Sequence, residues 1–505
     1  MPAPPRRATP MLSVIVALLL ISFGLRIWQL ERASFWVDEV YTTLRMDGNL
    51  RHTLESVLST GNQIPLYYLL LHALPHEGEF ALRYPSVLAG MVTVALLIVA
   101  ARQLTSHRES VLWAGALLAV NPFHVVLSRT ARPYALLVTL ALLVSLAFIA
   151  LARHPRSWAR WAVFTLSSAA VVMTHFFGLM LPLAQYIVLG FRIRRSRVLF
   201  RRWLAGWMVA GLPFLAWNLA RLARGNITPN TAWIPAPGLD DVALTFQNLI
   251  VGHYGPPAWY AIPGLVAAAV GLGAGAYHAA RAWRRGAAFY WLWLVLAPFA
   301  AILLISLVRP LYIDRYFAET LPAWLLLVWL GLSRLPGRGL GTALLALVVL
   351  SGLLVVISAR RSGHEEREGW RPLADTVRQE QQPGDGVLVQ RSATLNAFAY
   401  YAGTDTMESL ILLGISDSRE GIYLLSEDET TSPARLWVVY DALHDAHRLG
   451  PMPAPDPFVP SLSPVSAWLS TRQNRVLASY TFNGIALLLI DMAGEPAPAS
   501  PPPPA

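Results

Sequence analysis

The chain contains no cysteine, so disulfides, thiolate metal ligands and thiol nucleophiles play no part in it. It also contains no lysine: all 40 of its basic residues are arginine. That skew, together with abundant alanine, glycine and proline, reflects coding bias rather than chemistry. Charge is scarce. Only 14% of the 505 residues are charged, 55% are hydrophobic and the mean hydropathy is +0.46, whereas a soluble chain carries about a quarter charged residues. Much of the chain must therefore lie in lipid. There is no glycine-rich phosphate loop, no zinc-ligand spacing and no internal repeat. The net charge of +10 does not call for nucleic acid, because the arginines recur as short clusters between apolar stretches, which membrane topology explains.

What is present is a series of apolar segments. A helix needs roughly 20 apolar residues to cross the hydrocarbon core. By that measure the sequence predicts about eleven transmembrane helices, near 11–30, 83–102, 111–128, 133–151, 160–176, 177–192, 203–220, 258–279, 287–308, 316–333 and 340–358. The first lacks a small-residue cleavage site and reads as an uncleaved helix. Arginine clusters fall in every second loop: Arg6 and Arg7; Arg102 and Arg108; Arg153, Arg156 and Arg160; 192–202; Arg281, Arg284 and Arg285; Arg334 and Arg338. The positive-inside bias makes that side cytoplasmic. The alternation holds only if 63–74 does not cross. Twelve residues span about 18 Å as a helix, so this stretch is expected to lie along the membrane or re-enter it on the outer side.

The outer side then collects the residues that could carry chemistry. Asp38 and Glu39 follow the first apolar segment at once, beside Phe35, Trp36 and Tyr41. Ionisable groups at a membrane surface are costly and usually functional, which makes Asp38 a candidate general base. Glu39 points elsewhere, as neighbours on a helix do. It orients the Asp38 loop, binds an acceptor, or helps hold a divalent metal; these roles stay open. Arg129 and Arg132, three residues apart at the outer start of a helix and so on one face, suit phosphate oxygens, as do Arg83 and Arg315. Snorkelling, helix anchoring or pairing with a nearby carboxylate is the competing reading for each. His175, between apolar residues and Phe176, is a further substrate or metal contact, and Tyr67 in the stretch 63–68 is another substrate contact. The sequon at Asn226 is explained equally by chance and by glycosylation.

From Ala359 onward the character changes. Apolar runs shorten to strand length at 386–390, 436–440 and 485–491, with helical patterns at 370–382 and 465–472 and a turn signal at Pro383-Gly384-Asp385-Gly386. Residues 365–492 are expected to form a small α/β domain outside the cytoplasm, and 493–505, rich in Pro and Ala, a disordered tail. The sequence thus divides into a membrane module over 1–360, this domain and the tail.

In order along the chain, Asp38-Glu39, Ile64-Pro65-Leu66-Tyr67-Tyr68, Glu79 to Ser86, Ser128 to Tyr134, Thr174 to Gly178, Asp314-Arg315-Tyr316 and Gly369-Trp370-Arg371 resemble the GT-C membrane glycosyltransferases. The likeness is to family 39 and its bacterial relatives, among them protein O-mannosyltransferases and the lipid A aminoarabinose and galacturonic acid transferases. It covers about the first 360 residues and is most specific over 34–190. Many relatives carry a second proline where this chain has Gln63. The resemblance implies a polytopic helical enzyme of the bacterial cytoplasmic membrane that uses a polyprenyl-phosphate sugar donor. Its first-loop aspartate would serve as base, and the acceptor would be a lipid, glycan or protein hydroxyl. Its active site and C-terminal domain would face outward, its partners would include membrane lipids, and nucleic acid would not be one. The rival class, a multi-pass lipid or solute transporter without transferase activity, predicts inverted repeats and broken helices at the midplane. The sequence shows neither.

Overall fold

The computed structural model describes residues 10–60, 63–107, 109–191, 196–225, 234, 236–252, 258–283, 286–362, 368–389, 392–416, 421–424, 433–441 and 464–493. Arg6, Arg7, Arg108, Arg192, Arg194, Arg195, Arg284, Arg285, the Asn226 sequon and all but the first residue of the 493–505 tail lie outside them. The chain divides into two compact units, one of residues 1–30 and 45–362, the other of 31–44 and 363–505.

The first unit is helical. Its elements are α1 (Pro10–Ile27), the end of α2 (Val37–Met46), α3 (Leu50–Ser59), α4 (Pro65–His72), α5 (Gly78–Arg102), α6 (Ser110–Val120), α7 (Pro122–Leu127), α8 (Tyr134–Arg153) and α9 (Trp158–Val172). They continue with α10 (Met180–Gly190), α11 (Arg197–Leu222), α12 (Leu239–Val251), α13 (Ile262–Arg281), α14 (Ala287–Ser306), α15 (Leu321–Leu332) and α16 (Arg338–Arg361). Each of the eleven apolar segments is helical over most of its length, but among the described residues only six helices are long and apolar enough to cross a membrane by themselves: α5, α8, α11, α13, α14 and one within α16. Two of the others are interrupted for local reasons. The segment 111–128 breaks into α6 and α7 at Asn121-Pro122, where Pro122 removes a helical donor and the Asn121 side chain caps α7 by accepting from the His124 amide. The segment 316–333 opens as a tighter 3-10 helix, Asp314–Thr320, before α15 begins. The stretch 63–74 forms only the eight-residue α4, too short to cross.

Packing sorts the helices. Fourteen of the twenty residues of α8 are buried, and all twelve of α15. By contrast α11 exposes Met208, Leu212, Leu215 and Leu219, each more than half accessible. An apolar face of that extent requires lipid against it. α13 and α15 cross at Gly271, Gly275 and Gly331, where any Cβ would overlap the backbone of the facing helix. Small residues at this spacing let membrane helices approach closely enough for dispersion contacts to hold them.

The second unit carries a six-stranded mixed sheet. Its strands are β1 (Gly386–Val389), β2 (Ile411–Ser416), β3 (Gly421–Leu424), β4 (Arg435–Asp441), β5 (Val476–Phe482) and β6 (Ile485–Asp491), in the order β3-β2-β1-β4-β6-β5. β1 runs parallel to β2 and β4; the other pairs are antiparallel. The helices here are α17 (Trp370–Glu380), α18 (Ser392–Ala402), α19 (Thr404–Glu408) and α20 (Pro464–Ser470). The strands predicted at 386–390, 436–440 and 485–491 are β1, β4 and β6, and the predicted helices are α17 and α20. These three strands are the continuous apolar ones, buried on both faces; Leu388, Leu436, Val438, Leu488 and Ile490 pack with Val465 and Leu469 of α20. β5 lies at the edge, its exposure alternating, and carries too little apolar signal to stand out.

Candidate functional site

The Asp38-Glu39 pair lies in the first turn of α2. Trp36 is its N-cap residue, and the helix starts here because two carboxylates take up the amides a helix start leaves without partners. The Trp36 amide donates to Glu39 Oε2 at 3.4 Å, half of a capping box, and the Val37 amide donates to Glu368 Oε2 at 2.9 Å. Negative charge there also suits the helix dipole. Glu368 is held in turn by Trp370, whose indole donates to the same oxygen at 2.6 Å. The preceding loop is tied down by neighbours from the C-terminal part of the chain. The Phe35 amide donates to the Tyr401 hydroxyl at 2.6 Å, and the Arg371 amide to Ser34 Oγ at 3.1 Å. The Arg371 guanidinium donates to the carbonyl of Arg32 at 3.1 Å. Glu39 is 1% exposed and Asp38 half-buried. Of the two adjacent carboxylates, Glu39 closes the helix start and Asp38 is the more exposed.

That division bears on a divalent metal. One oxygen of Glu39 accepts from the Trp36 amide. Among the described residues no group of three or more His, Asp or Glu side chains is placed to hold an ion.

In the first unit, Arg132, His175 and Arg315 come together. His175 caps a short 3-10 helix, Phe176–Leu179, by accepting from the Phe177 amide at Nδ1, 3.3 Å away. Its ring lies 5.4 Å from Tyr134, 5.5 Å from Phe177 and 6.3 Å from Tyr316, within electrostatic reach of both Arg132 and Arg315. Tyr316 stacks on Phe177 at 4.4 Å, and the Arg315 guanidinium lies 5.9 Å from the Tyr316 ring centre. Both arginines are nearly fully buried. Helix α12 steadies this corner. Asn248 Nδ2 donates to Asp314 Oδ2 at 2.6 Å, the Arg315 amide donates to Asp314 Oδ1 at 2.6 Å, and the Tyr312 hydroxyl donates to Thr245 at 2.8 Å. Two guanidinium groups and an imidazole lie among aromatic rings here, a grouping whose chemistry suits an anion with apolar substituents.

Arg129 does not join them. The expectation that Arg129 and Arg132 share a helix face is corrected: residues 128–133 form the turn between α7 and α8. Pro133 disfavours helix before it, so α8 begins only at Tyr134. The two side chains diverge. Arg129 donates to the carbonyls of Arg26, Trp28 and Gln29 at 2.6, 2.9 and 3.1 Å, the acceptors that α1 leaves open at its C-terminal end. Arg83 donates to the Leu30 carbonyl at 2.9 Å, and Arg360 to the carbonyls of Leu25 and Trp28. Gln29 adopts a left-handed φ of 53°, so this chain reversal needs such support. Tyr67 is buried in α4 with its hydroxyl 3.5 Å from Ser86 Oγ.

Three groups escaped the sequence reading. Glu368 and Tyr401 pin the Asp38 loop across more than 300 residues of chain, a separation no local pattern bridges. Glu319 is fully buried in the 3-10 helix Asp314–Thr320, and neither carboxylate oxygen has a hydrogen-bond partner among the described residues. It sits inside an apolar run, and one acidic letter among many apolar ones was the available signal.

A model of the dolichyl-phosphate-mannose-protein mannosyltransferase family matches residues 64–219. No curated protein matches by sequence. Among solved structures, ArnT from Cupriavidus metallidurans in the apo state superposes with a TM-score of 0.58 at 14% identity, over 95% of this chain and 97% of that one. The same protein bound to undecaprenyl phosphate gives 0.54 at 13% identity, over 96% and 98%. The Archaeoglobus fulgidus oligosaccharyltransferase in the apo form gives 0.52 at 12% identity, over 78% of this chain and 64% of that one. The expected GT-C architecture is thus the fold of this chain, membrane helices followed by a small C-terminal sheet domain.

Proposed function

We propose that this membrane protein of GT-C fold is an inverting glycosyltransferase. It would move a sugar from a polyprenyl-phosphate donor to an acceptor hydroxyl on a lipid, glycan or protein, at the outer face of a bacterial cytoplasmic membrane. The observation that carries the reading is the alignment, along nearly the whole chain, with a structure bound to undecaprenyl phosphate. The residues supply the parts such a reaction needs. Asp38 takes the proton from the acceptor hydroxyl as that oxygen attacks the anomeric carbon. The bond from that carbon to the lipid phosphate breaks on the opposite side, and its electron pair leaves with the phosphate. One displacement inverts the configuration. The departing phosphate gains negative charge, which Arg132 and Arg315 are suited to neutralise. Fixed cations of this kind contribute about as much as an oxyanion-hole donor, roughly 3 kcal/mol. His175, donating from Nε2, can add a hydrogen bond to the same oxygens. A lipid-linked donor arrives sideways through the membrane and needs no nucleotide-binding domain.

The test is turnover of purified protein with a panel of polyprenyl-phosphate sugars, read as release of the lipid phosphate. Asp38→Asn keeps the shape and removes the basicity, so transfer is expected to fall about a hundredfold or more while donor binding persists. Glu39→Gln keeps an oxygen acceptor for the Trp36 amide and should be milder. Wild-type turnover by Asp38→Asn at saturating donor would remove Asp38 as the base.

A further inference from the structure

Residues 31–44, the loop before Asp38 and most of α2, form one compact unit with the C-terminal residues 363–505. The loop is met there by a buried stretch, Glu368-Gly369-Trp370, at the start of α17. That stretch is fixed to the sheet. The Gly369 amide donates to the carbonyl of Asn483, in the turn between β5 and β6, at 3.1 Å, and a Cβ at Gly369 would lie 3.0 Å from that of Phe482. Trp370 is fully buried and holds Glu368 Oε2 through its indole at 2.6 Å. The same oxygen accepts from the Val37 amide at 2.9 Å. A line of short contacts therefore runs from the sheet through Gly369 and Glu368 to the residue before Asp38.

What this does follows from what a first helical turn lacks. Val37 opens α2, so its amide has no acceptor within the helix. Glu368 supplies that acceptor from 331 residues away in sequence, and it brings a carboxylate to the positive end of the helix dipole. Fixing the first amide of α2 fixes the direction in which the next side chain, Asp38, leaves the backbone. The neighbouring contacts restrain the approach to the turn: the Phe35 amide on the Tyr401 hydroxyl and the Arg371 amide on Ser34 Oγ. Arg378 of α17 ties these two anchoring helices together by donating to the Tyr401 carbonyl of α18 at 2.7 Å. Glu368 itself is 1% exposed. It cannot meet a reactant, so any effect it has on transfer passes through α2.

We propose, on the reading of Asp38 as the base, that Glu368 is its positioning residue, and that the C-terminal domain serves transfer by setting the direction of that carboxylate. Hydrogen exchange of the full-length protein in detergent tests the restraint without any substrate. Exchange over 35–41 is expected to be slow in the unaltered protein and at least tenfold faster in Glu368→Ala. Glu368→Gln keeps an oxygen acceptor and should stay close to the unaltered rate, with α17 unchanged in both variants. Loop-like exchange over 35–41 in the unaltered protein overturns the proposal without any variant having to fold. Faster exchange throughout α17 and the sheet in Glu368→Ala would make Glu368 a folding residue and overturn it too. Turnover of a polyprenyl-phosphate sugar gives the second readout. Glu368→Ala should lower kcat about tenfold or more with KM within about twofold, as displacement of a reacting group does. Glu368→Gln should restore most of the rate, and Glu368→Ala should add no further loss to Asp38→Asn. Unchanged kcat in Glu368→Ala, with Asp38→Asn slow, overturns this proposal alone. Wild-type kcat in Asp38→Asn removes the base reading instead, and the positioning role falls with it.

Discussion

Arg129 and Arg132 show how far residue identity alone leads. Two arginines three apart, on the side of the membrane where arginine is scarce, invite one explanation, yet their side chains have different work. Arg129 spends donors on three carbonyls at the end of α1, and Arg132 lies within electrostatic reach of His175. Arg129→Ala is therefore expected to act on folding. Losing charge-assisted bonds to carbonyls costs about 2 kcal/mol, visible as a lower melting temperature with donor affinity kept in the protein that folds. Arg132→Ala is expected to weaken binding of a polyprenyl phosphate about tenfold or more in the protein that folds. Melting curves and lipid binding measured side by side decide it, and the reversed pattern would sink both assignments. Asp38 and Glu39 are a second such pair. One reaches back to an amide of its own helix start, and the other is the more exposed.

At the scale of elements, the sheet of the second unit has its own charged anchor. Asp385, ahead of β1, accepts from Arg435 at 2.7 and 2.9 Å and from the Trp437 indole at 3.0 Å. Burial would raise this carboxyl, but the hydrogen bonds from Arg435, the Gln382 amide and Trp437 outweigh it and hold it below the ordinary value of 3.8. A carboxyl depressed by folding stabilises the fold at all pH values above its unfolded value, and that contribution is lost as the pH falls through the lower folded value. Hydrogen exchange in β1 and β4, corrected for the intrinsic rate, should accordingly rise as the pH is lowered below about 4. Asp385→Asn should flatten that dependence. An unchanged acid response in the variant would mean other carboxyls govern it. The elements hardest to see in advance were β2, β3 and β5. β5 alternates at an edge, where tertiary pairing rather than apolar content makes a strand.

For the whole molecule, arginine placement predicts which end of the bundle faces out. The alternation of arginine clusters predicts that 34–80 and 365–505 lie outside and 192–202 inside. Reporter fusions after Gly48 and Arg195 should give opposite signals, and the same signal from both would overturn the topology. The short α4 fits the same scheme, since eight helical residues reach only about 12 Å and cannot change sides.

The sequence by itself determined the membrane class, the eleven helical segments, the presence of a terminal α/β domain and the residues worth suspecting. Those follow from local quantities: apolar length, charge placement and turn chemistry act within a few tens of residues. Tertiary structure alone decided which suspects meet. It assigned Glu39 and Arg129 to capping and brought Arg132, His175 and Arg315 to one corner. It also recruited Glu368 and Tyr401 to hold the loop before Asp38. A hydrogen bond depends on ångström separations between groups far apart in sequence, and only the packed chain sets those distances.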